Sequence, residues 1–409
     1  MDQNAVALLQ RRTIRTLTAG QVLSGFGLGA TLSVGALLAQ DLSGSAAWSG
    51  AASTFSTLGS AVWAFPLARL AAARGRRISL ATGAALAIAG AITVMFSAYV
   101  RFFPLLIVAL FLLGAATATG LQARFAATDL PSHRSTGRDL SLVVWATTIG
   151  AVAGPNMFGP GEALGELLGL PHLTGPFLMT IAAQLAATTV FWIGLRPDPL
   201  LTAQRLDASA GNHRPKISLR DAFATLKRNG RARYAVATLA LSHMVMVAVM
   251  SMTPVHMKDM GASLVIIGFT ISLHIAGMYA FSPIFGWLGD KIGAVKVVIF
   301  GQLIYLAALA FAGLGSMDRT TISVGLLLLG LGWSAATVSA SALLSSSLPT
   351  DEKTNVQGLS DSLQSLSGAM GGATSGLLLA VVAYPGLNAV ALIPVCLVLI
   401  FTGLTRWKA

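Results

Sequence analysis

Residues 264–314 read LVIIGFTISLHIAGMYAFSPIFGWLGDKIGAVKVVIFGQLIYLAALAFAGL. Two apolar stretches, each able to cross a hydrocarbon layer at about 20 residues per span, flank a short connection that carries Asp290, Lys291 and Lys296. The rest of the 409-residue chain repeats this alternation. Charged residues make up 10% of it, against about 25% in a soluble domain, and the mean hydropathy is +0.74. Span-length windows centre roughly on residues 28, 58, 88, 115, 150, 184, 244, 274, 305, 335, 370 and 396. The expected fold is therefore all-α, with twelve transmembrane helices, because a helix satisfies its own backbone hydrogen bonds where no water can.

Lys and Arg near span ends collect on the cytoplasmic side. With both termini placed inside, all 27 Lys and Arg except Arg101, Lys258 and Arg319 fall on that side. The net charge of +12 thus reads as topology plus attraction to anionic headgroups of the bilayer, and implies no nucleic-acid partner. Cys396, the single cysteine, forms no intrachain disulfide and reads as a packing residue. The polar start, MDQNAVALLQRRTIRT, precedes a span-length apolar run without a cleavage signal, so the first span is expected to be retained.

The one long hydrophilic stretch, residues 197–232, separates an N-terminal six-helix bundle (1–196) from a C-terminal one (233–409). Within this linker, SLRDAFATLKRN offers Ser218 as an N-cap and Leu219, Ala222, Phe223 and Leu226 on one face, which predicts a short amphipathic helix at the inner interface. At a fixed offset of 218 residues Gly59 falls on Gly277, Gly75 on Gly293, Gly114 on Gly332 and Gly150 on Gly368. That register predicts two pseudo-symmetric halves.

With that duplication the chain resembles the major facilitator superfamily over its whole length. The family's loop signature, G-x-L-x-D-[KR]-x-G, appears as Gly286-Trp287-Leu288-Gly289-Asp290-Lys291-Ile292-Gly293. The resemblance implies that Gly286, Asp290, Lys291 and Gly293 act as a conformational latch at the cytoplasmic helix ends. The first-half copy keeps Arg74, Gly75, Arg76 and Arg77 but has Ala72 in place of the acid, so no charge latch is expected there. Gly150 to Gly159, GAVAGPNMFG, resembles a span 5 pattern of proton-coupled drug antiporters, in which Gly154 and Pro155 would bend the helix. Against an antiporter, the span 4 arginine of that group is replaced by Leu110.

Ionisable residues inside a bilayer are costly and point to function. Arg124 and Asp361 lie near inner span ends, where the expectation is that they reach the interface or cap a helix. The denser signal is SHMVMVAVMSMTPVHMKDM at 242–260, followed by His274 and Met278. Met246 and Met250 stand at i and i+4, as do His274 and Met278, so each pair shares one helix face. Thioethers and an imidazole suit a soft ion such as Cu(I). Methionine is equally a flexible core filler, and a neutral histidine hydrogen-bonds readily to a neighbouring span, so the residues alone leave both readings open. The counterparts of these four in the first half are Leu28, Leu32, Ser56 and Ser60.

MxxxM and HxxxM in consecutive spans, followed by Ser282-Pro283, Gly286, Leu288 and Asp290, resemble the CcoA-type copper importers. The resemblance implies an importer in the bacterial inner membrane that supplies copper for cbb3-type cytochrome c oxidase assembly, with Met246, Met250, His274 and Met278 as ligands. His243, His256, Met257 and Met260 would lie on an approach path, with Met370 as an accessory donor. Copper is then the cargo, with no prosthetic group, and copper chaperones on either side are the expected partners of a monomer. The rival is a proton-coupled drug or small-metabolite transporter of the same superfamily. An enzyme is excluded by the lack of any nucleotide-binding loop or of a nucleophile beside a base.

Overall fold

A computed structural model describes residues 3–45, 48, 51–130, 136–156, 158–208 and 218–405. Among them no residue is in a β-strand, and the helices follow one another with short breaks. They are α1 (Gln3–Ser43), α2 (Ala51–Arg74), α3 (Arg76–Tyr99), α4 (Phe103–Ala126), α5 (Thr136–Asn156), α6 (Phe158–Leu167), α7 (Gly175–Gly194) and α8 (Pro199–Ala208). There follow α9 (Leu219–Arg228), α10 (Gly230–Asp259), α11 (Leu264–Tyr279), α12 (Ser282–Ile292), α13 (Ala294–Leu314), α14 (Arg319–Ser346) and α15 (Thr350–Leu404). Each of the twelve span centres expected from hydropathy lies in helix. Eight helical segments among the described residues are long and apolar enough to cross a membrane.

Local chemistry sets the ends. Asn229 accepts the backbone N–H of Ala232 and starts α10. Asp318 does the same for α14, and the hydroxyl and N–H of Thr321 hold its carboxyl below the ordinary carboxylate range. The long α15 contains a break at Ala383 (φ 55°, ψ −178°), two residues before Pro385.

One expectation is corrected and the linker gains detail. The signature residues 286–292 are not loop but helix: Pro283 sits in the first turn of α12, where a missing N–H costs nothing. The linker contains a helix, α8, that hydropathy does not show. Its start is fixed by Asp198, whose Oδ1 accepts the N–H groups of Leu200 and Leu201. The expected amphipathic helix of the linker is present as α9, with Ala222 and Leu226 buried against the protein and Leu219 and Phe223 left nearly half exposed. Residues 209–217 of the linker lie outside the described residues.

The chain forms two compact units. One comprises Met1–Pro131, Ala146–Asp221 and Thr350–Ser362; the other comprises Ser132–Trp145, Ala222–Pro349 and Leu363–Ala409. In the first, α2, α3, α4, α1 and α7 pack on one another; in the second, α14 packs against α10, α11, α12 and α13.

The glycine register has a structural cause, with one adjustment. Gly75 and Gly293 both have positive φ, 92° and 98°, and each lets one helix end and the next begin within a single residue. Gly59 lets α2 approach the Phe111 carbonyl of α4, and Gly277 lets α11 approach the Leu327 carbonyl of α14. Gly114 lies against Ser56, Gly59 and Ser60; the residue that lies against His274, Gly277 and Met278 is Gly330, not Gly332. The offset between α4 and α14 is thus two residues shorter than that between α2 and α11. The fixed offset of 218 falls on Gly332 instead, because α14 carries glycine at both 330 and 332.

Replacing Gly75 or Gly293 by Ala forces a side chain into a backbone conformation that costs about 1–3 kcal/mol. Thermal unfolding of the purified variants is expected to begin several degrees below wild type. An unchanged transition in Gly293→Ala, where a new Cβ meets no neighbour, would show that the backbone there relaxes freely.

Candidate functional site

Helix α10 carries Met246 and Met250 one turn apart, and α11 carries His274 and Met278 in the same spacing. Met246 and Met278 belong to one apolar cluster with Tyr305, Leu326 and Trp333, and Met250 packs against it. The cluster lies wholly in the second unit. The structure thus brings the three thioethers into one packed region, as the sequence could only suppose.

His274 is fully buried. Its Nδ1 lies 2.8 Å from the Leu326 carbonyl. A carbonyl can only accept, so Nδ1 carries the proton and Nε2 presents its lone pair. That Nε2 is buried with no hydrogen-bond partner. An imidazole held by one N–H on a backbone carbonyl, with its other nitrogen free, is the arrangement that metal-ligating histidines adopt. Gly330 makes this possible, since any Cβ there would collide with the His274 carbonyl and come within 2.9 Å of the Met278 nitrogen. The carbonyl of Leu326 and the role of Gly330 left no mark in the sequence, because one is backbone and the other is one glycine among 43.

The remaining soft donors are distributed differently. His243 accepts a hydrogen bond from Trp333 Nε1 at 3.1 Å, and Tyr279 meets the same indole edge-on at 5.5 Å. His256 donates through Nε2 to the Ser316 carbonyl and stacks on Tyr384 with ring centroids 4.2 Å apart. Met257 and Met260 fall in a separate cluster with Ile267 and Ile322. Met370 is 53% exposed. Gly154 and Pro155 lie in the last turn of α5, and their side-chain surroundings fall outside the described residues.

The signature residues are engaged at a helix start. Asp290 accepts the backbone N–H groups of Gly137 (2.8 Å) and Arg138 (2.9 Å) at the head of α5. There the unpaired amides and the helix dipole favour a negative charge. The approach requires glycine on both sides: a Cβ on Gly137 would lie 2.6 Å from the Gly286 carbonyl, and one on Gly286 would overlap Gly137 and Ser141. Lys291 lies over the Trp287 ring at 4.8 Å, Gly293 ends α12, and Arg74 is exposed.

In the first unit, where Ala72 replaces the acid, other charges meet. Arg76 is buried and makes two hydrogen bonds to Asp129 and one to Gln357. Arg124 donates to Asp361 at 2.8 Å with both side chains almost wholly buried. These two residues neither reach the interface nor cap a helix, which corrects the expectation for them. They sit 237 positions apart in the chain, and nothing in local sequence announces such a pair. Lys353, on the same end of α15, donates to the Thr128 carbonyl.

Breaking a buried ion pair by removing one partner costs about 3–5 kcal/mol, while replacing both by apolar residues is often neutral. Asp361→Leu and Arg124→Leu are each expected to lower the thermal transition strongly, and the double variant to recover much of the loss. A double variant as unstable as the sum of the two singles would contradict this.

Comparison with known proteins agrees with the helical architecture. The sequence model of the Major Facilitator Superfamily matches residues 17–372 and 240–408. The uncharacterized MFS-type transporter YdeG of Bacillus subtilis is 38% identical over 93% of this chain and 88% of its own length. The riboflavin transporter RfnT of Brucella anthropi is 26% identical over 87% of this chain and 86% of its own. Among solved structures, the human organic anion transporter MFSD10 superposes with a TM-score of 0.72 at 14% identity, covering 96% of this chain and 99% of that one.

Proposed function

The chain belongs to the Major Facilitator Superfamily, a family of membrane transporters rather than enzymes, and from that premise we propose that its cargo is copper, carried into a bacterial cell across the inner membrane. The observation that carries the reading is the buried, unpartnered Nε2 of His274, whose Nδ1 is bonded to the carbonyl of Leu326, a member of the same apolar cluster as Met246 and Met278. The set is neutral, so Cu(I) would keep a single positive charge among polarisable donors that replace its previous ligands. Leu326 fixes the tautomer and ring orientation, which spares the site the cost of ordering the imidazole as the ion arrives. Release would follow from the alternating access of the fold, in which elements that close the site on one side open it on the other. Copper delivered in this way would serve assembly of cbb3-type cytochrome c oxidase. Asp290, bonded to the head of α5, would act as a latch for one of the two states.

A second reading is a small organic solute. It is favoured by the similarity to RfnT over most of both chains and by the aromatic group of Trp333, Tyr279 and His243. A flat ring system would stack there, and the methionines would then be packing residues.

The two readings separate in one experiment. In cells lacking their own copper importer, the wild-type protein is expected to raise copper accumulation. Met246→Ala/Met250→Ala and His274→Ala/Met278→Ala should each reduce it to background at equal membrane abundance. Second-site loss of oxidase activity, restored by added copper, should accompany the defect. Riboflavin uptake in a riboflavin auxotroph, with copper accumulation unmoved by both double variants, would overturn the copper reading in favour of the organic solute.

A further inference from the structure

The first unit holds a cationic group that neither reading uses. The indole of Trp192 lies in the last turn of α7 and is 43% exposed. Two guanidinium groups attend it: that of Arg77 lies 4.8 Å from the ring centroid and that of Arg196 5.9 Å. Arg77 is the second residue of α3, and Arg196 follows α7 by two positions. The two helix ends are tied together at this point, because the backbone N–H of Arg77 donates to Asp198 Oδ2 at 2.8 Å. The close approach is real, since a Cβ on Gly75 would lie 2.6 Å from the Asp198 carboxyl carbon.

Asp198 does not neutralise these arginines through an ion pair. Its Oδ2 is directed at the Arg77 amide and its Oδ1 at the amides of Leu200 and Leu201, so the carboxylate is spent on the starts of α3 and α8. Among the described residues neither the Arg77 nor the Arg196 guanidinium takes part in a salt bridge. Two guanidinium groups that each lie within 6 Å of one indole centroid, neither of them in an ion pair, supply planar N–H donors suited to a phosphate. A tryptophan at the end of an apolar helix is also what marks the level of the headgroups. Two turns earlier on α7, Leu185 is also exposed.

We propose that Arg77, Trp192 and Arg196 form a binding site for the phosphate of an anionic phospholipid, with an acyl chain lying along the exposed face of α7. The site requires only that the chain lie in a membrane, so it stands or falls independently of the cargo. Its ligand differs from bulk attraction to the bilayer in that it depends on these residues rather than on the total charge.

The test is native mass spectrometry of the full-length protein in detergent with equal concentrations of dioleoyl-phosphatidylglycerol and dioleoyl-phosphatidylcholine. Wild type is expected to retain phosphatidylglycerol in preference to phosphatidylcholine. Arg77→Ala/Arg196→Ala should lose that preference, by about fivefold or more for each arginine removed. Arg11→Ala/Arg12→Ala, which removes the same charge from exposed positions on α1, should keep it. Arg196→Ala alone, at an exposed residue beyond the helix, serves if the double variant does not fold. Undiminished phosphatidylglycerol retention in Arg196→Ala and in the double variant would overturn the proposal. So would an equal loss in the α1 variant, which reduces the effect to net charge. Displacement of the lipid by millimolar inorganic phosphate would overturn the lipid reading and leave a site for the free anion.

Discussion

The contact between α11 and α14 is the constraint from which the candidate site follows. Gly330 brings the α14 backbone against α11 at the His274 carbonyl and the Met278 amide. At that separation the Leu326 carbonyl, one turn before Gly330, can receive His274 Nδ1–H. In a medium without water an unanswered polar group is expensive, so this single hydrogen bond fixes the ring. It also leaves the opposite nitrogen with a lone pair and no partner. The first half makes the same helix contact through Gly114 against Ser56 and Ser60, but with serines where the donors stand. The architecture is therefore shared between the halves, while the chemistry is confined to one.

Charge is handled with the same economy in both units and by different residues. In the second, Asp290 meets the amides that begin α5, and a glycine on each side permits the approach. In the first, Ala72 supplies no such charge, and the end of α15 is held by side chains: Arg76 with Asp129 and Gln357, and Arg124 with Asp361. A helix start and a carboxylate can be paired through backbone donors that any sequence provides. A buried guanidinium needs a specific acid, and here the acid lies far along the chain. The two solutions also differ in consequence, since a cap on exposed amides gives way at modest cost whereas a buried pair does not.

How these features serve transport depends on the cargo. A buried imidazole with a fixed tautomer and three thioethers in one packed cluster suit a soft ion. The aromatic set around Trp333 would suit a flat organic ring, and it sits in the same unit. Both readings use a fold that the family supplies, and in both the specificity resides in a few residues of α10, α11 and α14.

The sequence by itself determined that the chain is helical and membrane-spanning, because a bilayer demands long apolar runs and their absence of charge is visible residue by residue. It determined the duplication through glycines, since a position where two backbones touch tolerates nothing else. It also exposed the MxxxM and HxxxM pairs, whose spacing is that of one helical turn. Only the tertiary structure decided what those residues meet. The partner of His274 is a backbone carbonyl, the partner of Arg124 lies 237 residues away, and the true counterpart of Gly114 is Gly330 rather than Gly332. Such pairings depend on how helices lie side by side, and side-by-side placement is set by packing over the whole bundle, not by any local pattern of residues.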